Sequence, residues 1–508
     1  MIRFALINAD TVPAERTRTS AGLRKMPSGA SVALMVPVFL LCWQLGGPSS
    51  LLTDPNTGVH VRTGEWILAQ HAVPRQDLFS FAIADRTWCD WEWLSDALYA
   101  LLYRWHSLAA IAAFSLALLC LTSLAVFLTA RLHTSEAVAF AVTCLVMATT
   151  TIHWLARPHL FTWLLVGVFC WVIERARVRG NRQLLLVLPI LTLLWANLHS
   201  GFLAGVSTLG IWSGAEFVQT RLRSTKEERV AHTQWSRWFG LTALACSAAT
   251  LVNPYGSQLH RHIVEYLLSP RTVTAQVAEW LSPDFHNPRL HWFELLLPLG
   301  AAAGLWHGLR ARLAWCALTL GWMHLALVSV RHAPIFAIVC AAPVASLAEQ
   351  MVQRYVLGKR LREAEASMVS STVGTLICCA VAGALVIAVG CRRGLCFGRA
   401  ASLPVEAVAH LPPGRLFTTD RWADYVIYAK PGRLVFFDCR NDLYGPSFVN
   451  EYLTVIRAEP GWQQVTAEYA LTVALVPVDS PISSALLAST GWRLSYRDAI
   501  AAVFTRSK

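Results

Sequence analysis

The sequence predicts an α-helical polytopic membrane protein of about eleven transmembrane helices, carrying a C-terminal extracytoplasmic α/β domain. Three observations lead there. Of 508 residues, 55% are hydrophobic and 15% charged, and the mean hydropathy is positive, a balance from which no soluble surface can be built. The apolar residues gather into uncharged runs at 31–52, 107–130, 137–156, 158–173, 184–215, 313–330 and 367–391, near the roughly 20 residues that a helix needs to cross a bilayer core. The basic residues lie between these runs and alternate in density from loop to loop. Helices follow because backbone groups in hydrocarbon must pair within their own segment, and no barrel-type alternation is visible.

Taken in order, residues 1–30 form a cytoplasmic N-terminus with Arg16, Arg18, Arg24 and Lys25. The first apolar run has no small-residue cleavage site and closes on Trp43 and Gln44, so it reads as an uncleaved first span. Residues 31–391 form the transmembrane region, with outer loops at 53–96 and 254–292. The N-terminus and the stretches Arg131–Glu136, Glu174–Gln183, Arg221–Arg237, Leu309–Arg312 and Gln353–Glu365 hold about 20 Lys and Arg against about nine in the opposite loops, which places them in the cytoplasm. That sidedness explains the net charge of +12 without nucleic acid. Because 174–183 and 221–237 share a side, 184–220 must cross twice, turning at Asn197–Gly201.

Residues 392–508 form the extracytoplasmic domain. Strand-like runs at Arg415–Thr418, Leu434–Asp438, Leu471–Val476 and Ala501–Thr505 alternate with helical stretches near 420–429, 446–457 and 481–489, the pattern of a small α/β layer. The 13 cysteines lie mostly in spans as small apolar fillers; Cys391, Cys396 and Cys439 fall outside and could supply one disulfide. No metal-ligand spacing, Walker loop, GxGxxG or HExxH occurs.

The polar chemistry sits at the outer ends of the spans. Asp54 directly follows a span, where a carboxylate can face both a lipid-borne group and water; with Pro55 beside it, it also reads as a helix start. His60, Arg62, Asp90 and Glu92 share the first outer loop with Trp88, Trp91 and Trp93, and the acids there also fit a solvated aromatic belt. Arg157, His199, Arg331 and His332 stand at membrane-boundary turns. An arginine at that depth either snorkels to lipid phosphates or binds a lipid-linked phosphate and stabilises its departing charge. Glu279 and Asp284, in the second outer loop, read as structural. So do the acids of Trp422–Tyr425 and Asp438–Asp442, as helix starts.

Taken together, DPNTGVHVRTGEWIL, VPRQDLFSF, WEWLSDALYALLY, ARPHLF, LWANLHSGF, LVNPYG, EWLSPDF, RHAPIFAI and FFDCRNDLYG resemble a group of uncharacterised bacterial membrane proteins of the type C glycosyltransferase superfamily. The superfamily includes protein O-mannosyltransferases, aminoarabinose transferases and oligosaccharyltransferase catalytic subunits. The resemblance implies transfer of a sugar from a polyprenyl-phosphate-linked donor to an envelope glycan, lipid or protein at the outer face of a bacterial inner membrane. Asp54 would be the catalytic base. Arg157, Arg331, His332, His60, Arg62, Asp90, Glu92 and His199 would bind substrate. The related group usually has a second acid where this chain has Asn56, so a two-carboxylate metal site is not expected, and no cofactor is implied. A transporter or flippase of a lipid-linked precursor, and a non-catalytic assembly protein on the same fold, are the alternatives.

Overall fold

The computed structural model describes residues 24–268, 278–354, 363, 368–392, 394–397 and 403–507. It is mostly helical, with a small sheet near the C-terminus. The first helices are α1 (Gly29–Trp43), α2 (Asn56–Gln70), α3 (Trp93–Arg131), α4 (Glu136–Thr150) and α5 (His159–Arg179). They continue with α6 (Val187–Leu198), α7 (Phe202–Leu222), α8 (Lys226–Ala249) and α9 (Ser257–Leu267). Helices His291–Gly308, Leu313–Val328, Ala333–Val339, Ala341–Gln353 and Thr372–Gly390 complete the bundle. Polar side chains set several starts, with Ser28 accepting from the Ser31 N–H and Thr225 from the Glu228 N–H. Gly180 closes α5 in the left-handed conformation that glycine adopts without strain.

Among the described residues, four helices are long and apolar enough to cross a membrane: Trp93–Arg131, Glu136–His153, His159–Arg179 and Thr372–Gly390. A fifth is formed if the pair Val330–Val339 and Ala341–Gln353, bent by 53°, counts as one span. This falls short of the expected eleven by length and composition; Gly29–Trp43, Arg182–Leu198 and Leu313–Val328 are apolar but shorter. The anticipated break at Asn197–Gly201 is present, between α6 and α7. Leu186, Ile190, Leu203, Leu241, Leu244, Val373 and Leu376 expose their side chains on the bundle surface, as lipid-facing residues would.

In the C-terminal domain, β3 (Leu416–Thr418), β4 (Val473–Pro477), β5 (Trp492–Arg497) and β6 (Ala501–Arg506) form a mixed sheet in the order β3-β4-β6-β5. The pair β3 and β4 is parallel, and the other two pairs are antiparallel. Short strands β1 (Arg24–Met26) and β2 (Met368–Ser370) pair in parallel elsewhere. The expected strand at Leu434–Asp438 is not one. Its backbone is shared instead: Phe436 N–H donates to Leu416 O on the sheet side, while Val435 exchanges bonds with Phe79 and Phe81 of the loop between α2 and α3. The domain is thereby stitched to that loop, and the turn that follows, Asp438–Asp442, is delivered to the membrane bundle. All 13 cysteines are free, which corrects the disulfide expectation: Cys391 and Cys396 are exposed, whereas Cys439 is turned inward against Asp424.

Candidate active site at the bundle and domain interface

The α2 and α3 helices set one wall. Gly64 permits their close approach, because a Cβ there would collide with the Asp96 carbonyl oxygen. The approach brings His60 Nδ1 to 2.7 Å from Asp96 Oδ1. His60 Nε2 then lies 3.7 Å from Glu92, whose other oxygen is 3.3 Å from His199 Nε2. The His199 tautomer follows from its neighbours. Gly201 N–H can only donate and does so to His199 Nδ1 at 2.9 Å, so the neutral imidazole carries its proton on Nε2, facing Glu92. Burial lowers His60 to about 4 and His199 well below the usual histidine range, and it raises Glu92 and, more strongly, Asp90 above the usual carboxylate range.

Asp54 stands just before α2 and beside Arg157. Its Oδ1 accepts from the Asn56 N–H at the start of α2, and its Oδ2 accepts from Arg157 NH1 at 3.1 Å. The same Arg157 nitrogen lies 3.2 Å from Glu279 Oε1, so one guanidinium joins two carboxylates. Glu279 is further approached by His153 Nε2 at 3.4 Å and Arg331 NH1 at 3.8 Å. Burial opposes its ionisation, but these three partners outweigh burial and hold Glu279 at about 2. Arg157, whose burial works against its charge, is nonetheless held above the usual arginine value by Asp54 and Glu279.

These groups meet at a cavity of about 500 Å³. His60, Asp90, Glu92, Arg157, His199, Arg331 and His332, all singled out by the sequence, contribute to its wall. Asp54 is not among the residues that line it; its carboxylate, 20% exposed, stands 3.1 Å from Arg157, which does. Arg62 is not among the residues that line the cavity. Its guanidinium donates to Tyr428 O at 3.0 and 2.6 Å, pairs with Glu65, and stacks on Tyr103 and Tyr428, so it straps α2 to the C-terminal domain instead of facing the cavity. Leu203, Trp322, Leu325 and Ile335 give the wall its apolar part. Sequence reasoning missed Glu279, taken as structural, and the segment Cys439–Asp442, which roofs the cavity. His262 Nε2 anchors that roof 3.0 Å from Asp442 Oδ2. Among the described residues no group of three or more His, Cys, Asp or Glu side chains could hold a metal ion, and the two carboxylates nearest the cations already share a guanidinium.

No protein-family model matches the chain, and no curated protein does. Solved structures do. The chain is similar to the oligosaccharyltransferase of Archaeoglobus fulgidus in complex with an inhibitory peptide and a dolichol-phosphate, at 11% identity over 89% of this chain and 69% of that one, with a TM-score of 0.57. The same enzyme tethered to an acceptor peptide containing the NVT sequon gives 12% identity and a TM-score of 0.56 over the same shares. Its complex with zinc and sulfate gives 11%, 89%, 68% and 0.53. At this identity the likeness defines the fold alone, that of the archaeal oligosaccharyltransferase.

Proposed function

We propose that the chain is a membrane glycosyltransferase that moves a sugar from a polyprenyl-phosphate-linked donor to an envelope glycan, lipid or protein. In this reading it spans a bacterial inner membrane about eleven times, with the N-terminus cytoplasmic and the C-terminal domain and cavity outside. The observation that carries the reading is a single cavity with Arg157 and Arg331 converging on Glu279 in one part of its wall and an apolar surface of Leu203, Trp322, Leu325 and Ile335 in another. A lipid phosphate needs both: guanidinium donors for the head and apolar surface for the first isoprenes. The archaeal neighbour solved in complex with a dolichol-phosphate supports the same donor class.

In the proposed reaction Asp54 takes the proton of an acceptor hydroxyl, and the freed oxygen attacks the anomeric carbon. The bond from that carbon to the phosphate oxygen breaks with inversion, and the phosphate keeps the electron pair. Arg157 and Arg331 donate to the leaving phosphate as its charge grows, displacing part of their contact with Glu279. Among the described residues no side-chain group fits a metal ion, and the Arg157 guanidinium is the cation between the carboxylates of Asp54 and Glu279. Transfer from a polyprenyl-phosphate sugar by purified protein, compared for wild type and Asp54→Asn at equal protein level, tests the reading. Mass spectrometry of envelope glycans and glycoproteins from a deletion strain, beside its complemented parent, identifies the product. An unchanged envelope would favour the second reading, a transporter or flippase, for which the 53° break at Val339–Ala341 is the supporting feature.

A further inference from the structure

The roof of the cavity holds a guanidinium that is only partly used. Arg440 Nε and NH2 donate to Asp438 at 2.9 and 2.7 Å, and NH2 also reaches Asp77 at 2.6 Å, while the plane stacks on Phe79 and Trp88. NH1 has no hydrogen-bond partner among the described residues, although Arg440 is only 8% exposed. Three other cavity-lining residues are in the same condition. Asn441 Nδ2 donates to Cys439 O and its Oδ1 is unpartnered; Asp90 Oδ1 accepts from the Glu92 N–H and its Oδ2 is unpartnered; His60 uses Nδ1 toward Asp96, and its Nε2, 3.7 Å from Glu92, makes no hydrogen bond. They are 5%, 3% and 8% exposed. A buried polar atom without a partner is costly, and four in the wall of one cavity mark surface shaped for a ligand that supplies both donors and acceptors.

The charges narrow the ligand. Arg440 is already balanced by Asp438 and Asp77, so a further anion is not called for. Burial raises Asp90 well above the usual carboxylate range, against its charged form, and lowers His60 to about 4, so neither side chain is arranged to hold a cation there. Hydroxyl groups, which donate and accept, satisfy such a wall. Trp91, half-buried in the same wall against His262 and Tyr266, offers an aromatic ring for the C–H face of a sugar.

We infer that the part of the cavity beneath Arg440 and Asn441 is a neutral-sugar subsite, in which Arg440 NH1, Asn441, Asp90 and His60 hydrogen-bond the hydroxyls of a pyranose ring. The inference rests on the glycosyltransferase reading and adds the class of sugar and the residues that select it. The full chain in nanodiscs is titrated with bare polyprenyl phosphate and with polyprenyl phosphates carrying a neutral hexose, a hexuronic acid or an aminopentose. Soluble methyl hexosides are followed by saturation-transfer NMR. Wild type should prefer the neutral hexose by about tenfold or more, the scale of a hydrogen bond to a charged donor. Arg440→Lys keeps a cation for Asp438 and Asp77 but withdraws the NH1 donor, and Asn441→Ala removes the acceptor without touching that ion cluster. Either should abolish the preference while bare polyprenyl phosphate binds as before; a preference on the lipid makes the sugar the donor's, and one confined to soluble hexosides makes it the acceptor's. Arg157→Ala, by contrast, should weaken every polyprenyl phosphate alike. Binding of soluble hexosides that depends on Arg440, without any binding of polyprenyl phosphate, would overturn the lipid-donor reading and leave the sugar subsite standing. No preference for the neutral sugar in wild type, or a preference kept in both variants, overturns the inference itself.

Discussion

Arg157→Ala is the most discriminating single change. Arg157 NH1 stands 3.1 Å from Asp54 and 3.2 Å from Glu279, and the side chains involved are 22% and 20% exposed. Each charge-assisted contact contributes about 1.5–3 kcal/mol when well formed, and burial of the guanidinium offsets part of that, so a net loss of about 2–4 kcal/mol in stability is expected. Much of it comes from Glu279, left with Arg331 at 3.8 Å and His153 at 3.4 Å as its remaining partners. The double variant Arg157→Ala/Glu279→Gln should therefore regain part of that stability, because the Glu279 charge is no longer stranded, while Asp54 still lacks its guanidinium. Donor binding separates the roles: if Arg157 holds the lipid phosphate, both variants lose roughly tenfold or more in affinity, the regained stability notwithstanding. Thermal unfolding in detergent gives the first quantity and calorimetric titration with a polyprenyl-phosphate sugar the second. Donor affinity within about twofold of wild type in a folded Arg157→Ala protein refutes the assignment and leaves Arg157 as an ion-pair strut.

Asp54→Asn keeps an oxygen for the Asn56 N–H and should accumulate normally, while transfer falls by about 10²–10⁴ if the carboxylate is the base; wild-type transfer by that variant would remove Asp54 from the chemistry. Acid should destabilise the site through His60, lowered to about 4 against about 6.5 unfolded, because the unfolded chain takes up the proton first. The His60 loss begins near pH 6.5, reaches about 2 kcal/mol by pH 5 and is complete near pH 4; because Asp90 and Glu92, raised by burial, act in the opposite sense, it is read as the change over that range in the stability difference between wild type and His60→Gln. Glu279, depressed to about 2, contributes stability that is present above about pH 4.5 and lost only as pH falls towards 2, so it does not contribute to that slope. An alkaline phosphatase fused after Lys508 should be active if the C-terminal domain is extracytoplasmic; an inactive fusion beside an active cytoplasmic reporter means the span count is off by one.

What the sequence reveals follows how local each cause is. The α6 and α7 break was legible because two basic stretches had to share a side, and helix Asp420–Ala429 because its buried face repeats at helical spacing. The strand β5 was missed since Trp492–Arg497 is largely exposed and alternates little. The false strand at Leu434–Asp438 has the composition of one; its backbone partners in the loop between α2 and α3 are some 356 residues away in sequence and cannot be read from the segment itself. Arg157 and Arg331 stood out because cations at a membrane boundary always need a partner. Arg62 stood out for the same reason and found a different partner, the carbonyl of Tyr428, 366 residues on.

Glu279 and Arg440 escaped for a related reason, and together they change how the C-terminal domain should be regarded. Glu279 acquires its role from an arginine 122 residues earlier, and Arg440 from Asp77, 363 residues earlier. Neither has a local signature. Yet the Arg440 contact is not a loose docking of two units: its ion cluster with Asp77 and Asp438 is at most 8% exposed, Tyr444 adds a hydrogen bond at 2.9 Å, and the backbone of Val435 is woven into the loop between α2 and α3. Separating the domains would strand a buried guanidinium and two carboxylates, a cost of several kcal/mol even before the lost apolar contact. The interface therefore holds as a rigid part of the fold. A cavity walled by both sides of it has its polar groups already positioned, as a transferase that must orient a lipid phosphate and a sugar at once requires.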